Sequence, residues 1–469
     1  MRTFNRAFIR REKPAEVRDT GGTLNITVTP EQPQDNQLTA KVTISAADVD
    51  AAIKKTYAEI ANKYAFQGFR RGHVPRPIIN NMMGLESVLA QATNDLLNAA
   101  DPAIVEELDV TPLGQISFGD EPALVVEHSD YEATVTIDVR PEAELESYDA
   151  PEVNMPPEEA TEAEIDWQLN QLLSYQMTYE DTDEDREVAE GDVIGVDIQN
   201  VEGAGHLAAE NRTVTLNGMQ LPAELQEAIV GMKPGETKDV EWVKSHEHEG
   251  EVHEHKFSVK VTVKAIKKAV TPELTDELAK KNFGYETVEK LREAVKEEIE
   301  ADKKTSLPQL KEDRVVEEMG KRLQLDEVPE NYKNEIFNEL AQEFLAQLQR
   351  QNISLDMYLA ARGVKADDFI ADLHAQADER ARQSLALDAV AKKMGFEATE
   401  ADVEAEFERA GIEDVKAAVK QWKDQGRLPA IRDSIKRTKA LDYLAENAKV
   451  TVKDEVAERA EAQKAESAE

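Results

Sequence analysis

The sequence predicts a multidomain α+β protein: two strand-containing regions followed by a long all-α region. Three observations predict it. Apolar and polar residues alternate from Leu24 to Thr29 and from Gln37 to Ile44, and a period of two returns between about Val188 and Ile266, as in half-buried strands. From Thr271 onward the apolar residues recur at helical spacing instead. The chain, at 469 residues, is long enough for about three domains.

Composition narrows the function classes. A formal net charge of -39 opposes general affinity for nucleic acid or anionic membrane, so contact with a polyanion has to be local. There is no cysteine, which excludes disulfide and thiolate chemistry. No apolar run approaches the roughly 18 residues of a membrane helix, and a cytoplasmic protein without membrane partners is the expectation. Residues 1–22 carry Arg2, Arg6, Arg10, Arg11, Lys13 and Arg18 but no apolar stretch, so they read as a disordered extension, not a secretory signal. Neither G-x-x-x-x-G-K-[ST] nor G-x-G-x-x-G occurs, and no cofactor is expected.

The first domain is expected over 23–145. After its two strands, Ser45-x-x-Asp48 opens a helix with Val49, Ile53, Ile60 and Tyr64 on one face. That helix delivers the chain to Gly68-Phe69-Arg70-Arg71-Gly72-His73-Val74-Pro75. Two glycines and a following proline describe a bent loop tip that presents one apolar wedge and two positive charges. From Ile60 to Leu85 there is no acidic residue, in a chain that has 95 of them. A second helical region runs through Val88, Leu89, Leu96 and Leu97, and strands are expected at Gln115–Phe118 and Tyr131–Arg140. Two arginines on a stiff loop suit RNA phosphates or protein carboxylates, with Phe69 filling an apolar gap; the alternative is a solvated turn.

This octapeptide resembles the ribosome-docking signature of bacterial trigger factors. The resemblance implies an ATP-independent chaperone that meets nascent and unfolded polypeptides at the ribosome exit tunnel. It also implies that Gly68, Phe69, Arg70, Arg71, Gly72 and Pro75 contact an exit-tunnel protein and ribosomal RNA, and that the free protein forms a weak homodimer.

Residues 146–186 read as a helical linker: Thr161-x-x-Glu164 caps a helix with Ile165, Leu169, Leu172 and Leu173 on its stripe, and the acidic run 180–185 follows. A second domain over 187–268 resembles an FKBP-type prolyl isomerase through Gly191-Asp-Val-Ile-Gly-Val-Asp-Ile198 and Ile229-Val-Gly-Met-Lys-Pro-Gly-Glu236. Such an enzyme holds the X-Pro bond in an apolar pocket, where the twisted imide escapes a barrier of about 18–20 kcal/mol. Alignment to that family assigns the pocket to Ile198, Val214, Leu225 and Phe257, aliphatic at three positions where the family carries rings, so weak or absent activity is expected. Four histidines, His246, His248, His253 and His255, cluster around a turn near Gly250, and zinc or nickel binding is the competing reading of that hairpin.

Residues 269–452 are expected to be all-helical, with stripes at Val288, Leu291, Val295 and Ile299, then Ile336, Leu340, Phe344 and Leu348, then Phe369, Leu373, Leu385, Leu387 and Val390. Pro308, Pro329 and Pro429 are expected to start or interrupt helices, and Asn352, Gly363, Gly395 and Gly411 to mark turns. Residues 453–469 read as a disordered charged tail. The resemblance makes the helical region a substrate cradle. The alternatives are a protein that is primarily a prolyl isomerase folding catalyst and, further off, a metal-binding protein built on the histidine cluster.

Overall fold

The computed structural model describes residues 24–31, 36–119, 121–182, 186–217, 220–248 and 251–466, without the side chains of 244–254, 464 and 466. The chain forms two compact units: 1–155 with 307–452, and 156–306 with 453–469.

The first unit begins with three antiparallel strands in the order β1 (Ile26–Pro30), β2 (Gln37–Ile44) and β3 (Tyr131–Asp138), with Val28 opposite Val42 and Val42 opposite Ala133. On β2 the alternation works as read: Leu38, Ala40, Val42 and Ile44 are buried. Three helices pack on this sheet, α1 (Ala46–Lys63), α2 (Arg76–Met83) and α3 (Leu85–Leu108). Ser45 caps α1 by accepting from the Asp48 N–H, and Val49, Ile53, Tyr57 and Ile60 are the face it buries. The strand expected at Gln115–Phe118 is reduced to one bridge between Ser117 and Thr136. Gly114 and Gly119, both at positive φ, bend the backbone away on either side before a ladder can extend.

The rest of this unit is helical: the latter part of Val288–Lys321, then Glu330–Arg350, Leu355–Arg362, Ala366–Met394, Glu400–Arg409, Val415–Asp424 and Leu428–Asn447. Its core gathers Val315, Met319, Ala377, Ala381, Leu385, Leu387, Val390, Leu441 and Leu444. Pro329 precedes one helix and Pro429 lies in the first turn of another, but Pro308 interrupts nothing. Its helix continues for 34 residues, because the turn before Pro308 is largely exposed and water can take the freed carbonyl. Two short pairings close the unit across long stretches of chain: Leu323–Gln324 with Glu144–Leu145, and Lys449–Val452 parallel to Glu152–Met155.

Arg140 ion-pairs with Asp433 and, at 3.1 Å, with Asp388 inside this unit. Beside them the buried Oε2 of Glu335 has no hydrogen-bond partner. Burial, with repulsion from Glu339 one turn on, pushes the Glu335 carboxyl up to about 7.

The second unit departs from the expected boundaries in three places. The acidic run does not begin as a linker: Thr178–Asp181 is a strand paired with Glu251–Val270, which carries the sheet below residue 187. The helical region 269–452 is divided at 306, because Leu291, Val295 and Ile299 pack on Ile165 and Leu169 of the helix Glu162–Ser174. The tail is not disordered over 455–466, which form a helix against Glu162–Ser174. Asp454 starts it by accepting from the Ala457 N–H at 2.9 Å.

The sheet of this unit has five antiparallel strands, Thr178–Asp181, Glu251–Val270, Val193–Glu202 and Ala209–Thr215 in that order, with Thr237–His248 also on Glu251–Val270. It closes over the short helix Ala223–Ile229, and Ile194, Val196, Val214, Leu225, Ile229, Val259, Val261 and Val263 form the core. Among the described residues no helix of either unit is long and apolar enough to cross a membrane.

Candidate functional site

The loop between α1 and α2 is held at its base and free at its tip. Tyr64 ends α1, and Phe66 turns back into the core beside Ile79 and the half-buried Val74. Gly68 and Gly72 sit at φ +85 and +81, a region that β-carbons disfavour. The Phe69 N–H donates to the Phe66 carbonyl at 3.1 Å, the Gly72 N–H to Ala61 at 2.9 Å, and the His73 N–H to Arg70 at 3.0 Å. A β-carbon at Gly72 would lie 2.5 Å from Asn62 Oδ1, so the loop returns tightly against the end of α1. Pro75 then starts α2.

Phe69 is 40% exposed, and Arg70 and Arg71 are exposed. Among the described residues neither guanidinium has an ion-pair or hydrogen-bond partner, whereas Arg76 at the base is committed to Glu127 at 2.6 Å and to the Tyr57 ring at 4.7 Å. An aromatic wedge and two unpaired cations on a braced loop can engage phosphates or carboxylates without first breaking contacts of their own. Exposed Tyr64 and Met82 flank the same region; Tyr64, read from the sequence on the apolar face of α1, is instead its C-cap and is exposed, because the helix ends at Lys63 before that face can carry it inward.

The four positions assigned to an isomerase pocket are brought into one cluster, but inside the core. Ile198, Val214 and Leu225 are 2%, 1% and 0% exposed. Phe257 is half-buried and lies flat on Trp242, ring centroids 5.3 Å apart. The three aliphatic side chains pack into the core of the sheet and short helix, with almost no surface of their own.

The strand register sets His246 opposite His253 and His255 opposite Lys244. The side chains of His246, His248 and His253 lie outside the described residues, and among the described residues no group of three metal-ligating side chains occurs.

In the helical part of the first unit, Phe344, Tyr358 and Phe369 pack ring on ring, at 5.1 Å from Phe344 to each of the others. Around them Leu345, Met357 and Ile370 are exposed. The Phe344 and Phe369 stripes were legible as periodicity; which of their neighbours stay exposed depends on where the helix Leu355–Arg362 turns, which periodicity does not reveal.

Two family models match the chain, bacterial trigger factor protein over residues 26–172 and bacterial trigger factor protein C-terminus over 287–446. The trigger factor of Lysinibacillus sphaericus (strain C3-41) is 31% identical, across 90% of this chain and 99% of its own length. That of Shouchella clausii (strain KSM-K16) is 30% identical, across 89% and 98%. A solved structure from work on promiscuous substrate recognition in folding and assembly activities of the trigger factor chaperone is 18% identical, covers 90% of this chain and 99% of its own, and has a TM-score of 0.38. The molecule is a ribosome-associated chaperone of multidomain α+β architecture, carrying an isomerase domain typical of such proteins. It belongs to the trigger factor family.

Proposed function

We propose that Phe69, Arg70 and Arg71 are the side chains that dock this chaperone on the ribosome, with Gly68, Gly72 and Pro75 shaping the loop that presents them. The observation that carries this reading is the pair of exposed guanidinium groups with no partner among the described residues, on a body of formal net charge -39. Their counterparts are carboxylates of an exit-tunnel protein and phosphates of ribosomal RNA, reached in the cytoplasm. Residues 23–145 act as the docking domain, and the region 269–452 holds nascent and unfolded segments on exposed apolar side chains such as Leu345, Met357 and Ile370. No nucleotide cycle drives release, and off the ribosome the protein pairs weakly with itself. Cosedimentation with ribosomes, lost in the Phe69→Ala/Arg70→Ala/Arg71→Ala variant while suppression of aggregation by the free protein persists, is the expected result. Unchanged pelleting of that variant refutes the assignment.

The isomerase domain, over about 187–268, is proposed to be a weak catalyst at most, because Ile198, Val214 and Leu225 have almost no surface to offer a peptide. A protease-coupled assay on a proline peptide should read near the uncatalysed rate, and strong turnover refutes this.

A further inference from the structure

Thr178–Asp181 is an edge strand: it pairs with Glu251–Val270 from Asp181 opposite Lys267 to Thr178 opposite Val270, and among the described residues no strand lies on its other side. The Thr182 N–H donates to the Ile266 carbonyl at 2.8 Å. Since hydrogen-bonded pairs alternate along an antiparallel ladder, Glu180 and Thr178 direct their backbone groups into the sheet, and Tyr179 and Asp181 direct theirs outward. Two N–H and two C=O groups therefore face the open edge, enough for a short incoming strand.

Natural edges are commonly blunted by lysine, proline or a covering element. This one is flanked by apolar side chains instead: Tyr175, Met177 and Tyr179 are 84%, 38% and 42% exposed. Gln176 between the first two accepts from Asn282 Nδ2 at 3.0 Å, which fixes the approach to the strand. The edge is also acidic. Asp181 is paired with Lys267 at 2.7 Å, but exposed Glu180 has no ion-pair partner among the described residues, and Asp183, Glu184 and Asp185 follow in sequence. Two copies of this edge would set like charges against each other, whereas a cationic strand would not.

We propose that Thr178–Asp181 takes up an extended segment of unfolded polypeptide by strand addition, and that it selects segments alternating apolar residues with lysine or arginine. The inference rests on the chaperone reading above and adds to it a place and a class of segment. Main-chain bonds to Tyr179 and Asp181 tolerate any sequence, the two tyrosines and Met177 supply apolar contact, and Glu180 supplies the charge preference.

The test uses the full-length protein, a labelled peptide alternating lysine and leucine over seven residues, and the same peptide with glutamate for lysine, read by anisotropy. Suppression of aggregation of a denatured client is measured in parallel. The lysine peptide should bind at least about tenfold more tightly than the glutamate peptide. Glu180→Gln, a neutral near-isostere that sets no like charge against Lys268 across the ladder, should abolish that preference. Tyr179→Pro removes one outward N–H without touching the ladder and should weaken the lysine peptide by about tenfold. Equal binding of both peptides, no change in either variant, or a dimer of the wild type that Tyr179→Pro abolishes would each overturn the proposal, the last by giving the edge to a second copy. If aggregation is suppressed but the peptide effects are missing, only the edge assignment fails; if the wild type does not suppress aggregation, the chaperone reading fails with it.

Discussion

The Gly68–Pro75 loop and the core built on Ile198, Val214 and Leu225 start from the same kind of sequence evidence and end in opposite environments. At Gly68–Pro75 the signature residues are pushed outward, because positive φ at Gly68 and Gly72 and the proline at the start of α2 leave no regular element to absorb them. Phe66, Val74 and Ile79 pay for that exposure by anchoring the base. At Ile198, Val214 and Leu225 the aligned residues sit on strands and a helix whose alternation directs them inward. The difference teaches that a motif position stays exposed where the local backbone forbids burial, whereas an aliphatic residue at an inward register position packs into the core.

The largest effect should come from the loop. Truncating Phe69, Arg70 and Arg71 together removes two charge-assisted contacts and one apolar contact, about 4 kcal/mol or more and roughly a thousandfold in ribosome affinity. The melting temperature should hold, since these side chains are exposed. A large loss of stability in this variant would break the contrast by showing that the loop is structural.

Leu225→Ala should do the reverse. It empties a fully buried site and should cost the second unit about 3 kcal/mol in denaturant unfolding, with ribosome pelleting unchanged. If isomerase activity rose on opening this cavity, the core would be a closed pocket and the two regions would be alike.

Gly72→Ala lies between the extremes. Its φ of +81 and the contact with Asn62 should cost about 1–2 kcal/mol of stability and weaken ribosome binding by less than tenfold.

A smaller effect, outside both regions, tests the helical scaffold. Glu335 has a folded-state value of about 7, above its ordinary range near 4.5, so the neutral carboxyl is favoured in the folded chain. That stability is complete below about pH 4.5 and is lost as pH rises through about 7. Glu335→Gln should therefore raise the melting temperature of the first unit by about 2–4 °C at pH 8, a figure reduced for its partial exposure, and leave it nearly unchanged at about pH 4, below the unfolded value. An equal shift at both pH values would trace the effect to packing.

Much of the architecture was legible because it is written in local terms. Ser45 and Thr161 cap the helices their spacing announced, and Asn352, Gly363, Gly395 and Gly411 take up positive φ where helices end. The misreadings occurred where distant chain supplied a partner. The acidic residues 180 and 181 looked unable to join a sheet until Lys268 and Lys267 stood opposite them. The tail 455–466 looked too charged to order until the helix Glu162–Ser174 lay beside it. The strand at Gln115–Phe118 failed for the opposite reason, since glycines on both sides outweighed a good alternation.

By itself the sequence determined the class of the protein, the α+β order of its parts and the place of its cationic loop, because turn chemistry, period and charge contrast all act within a few residues. Only the tertiary structure decided that Arg70 and Arg71 stay unpaired among the described residues, that the pocket positions close into a core, and that Thr178–Asp181 becomes an open edge. Each of those outcomes depends on what packs beside a residue across long stretches of chain, and periodicity along the backbone carries no record of it.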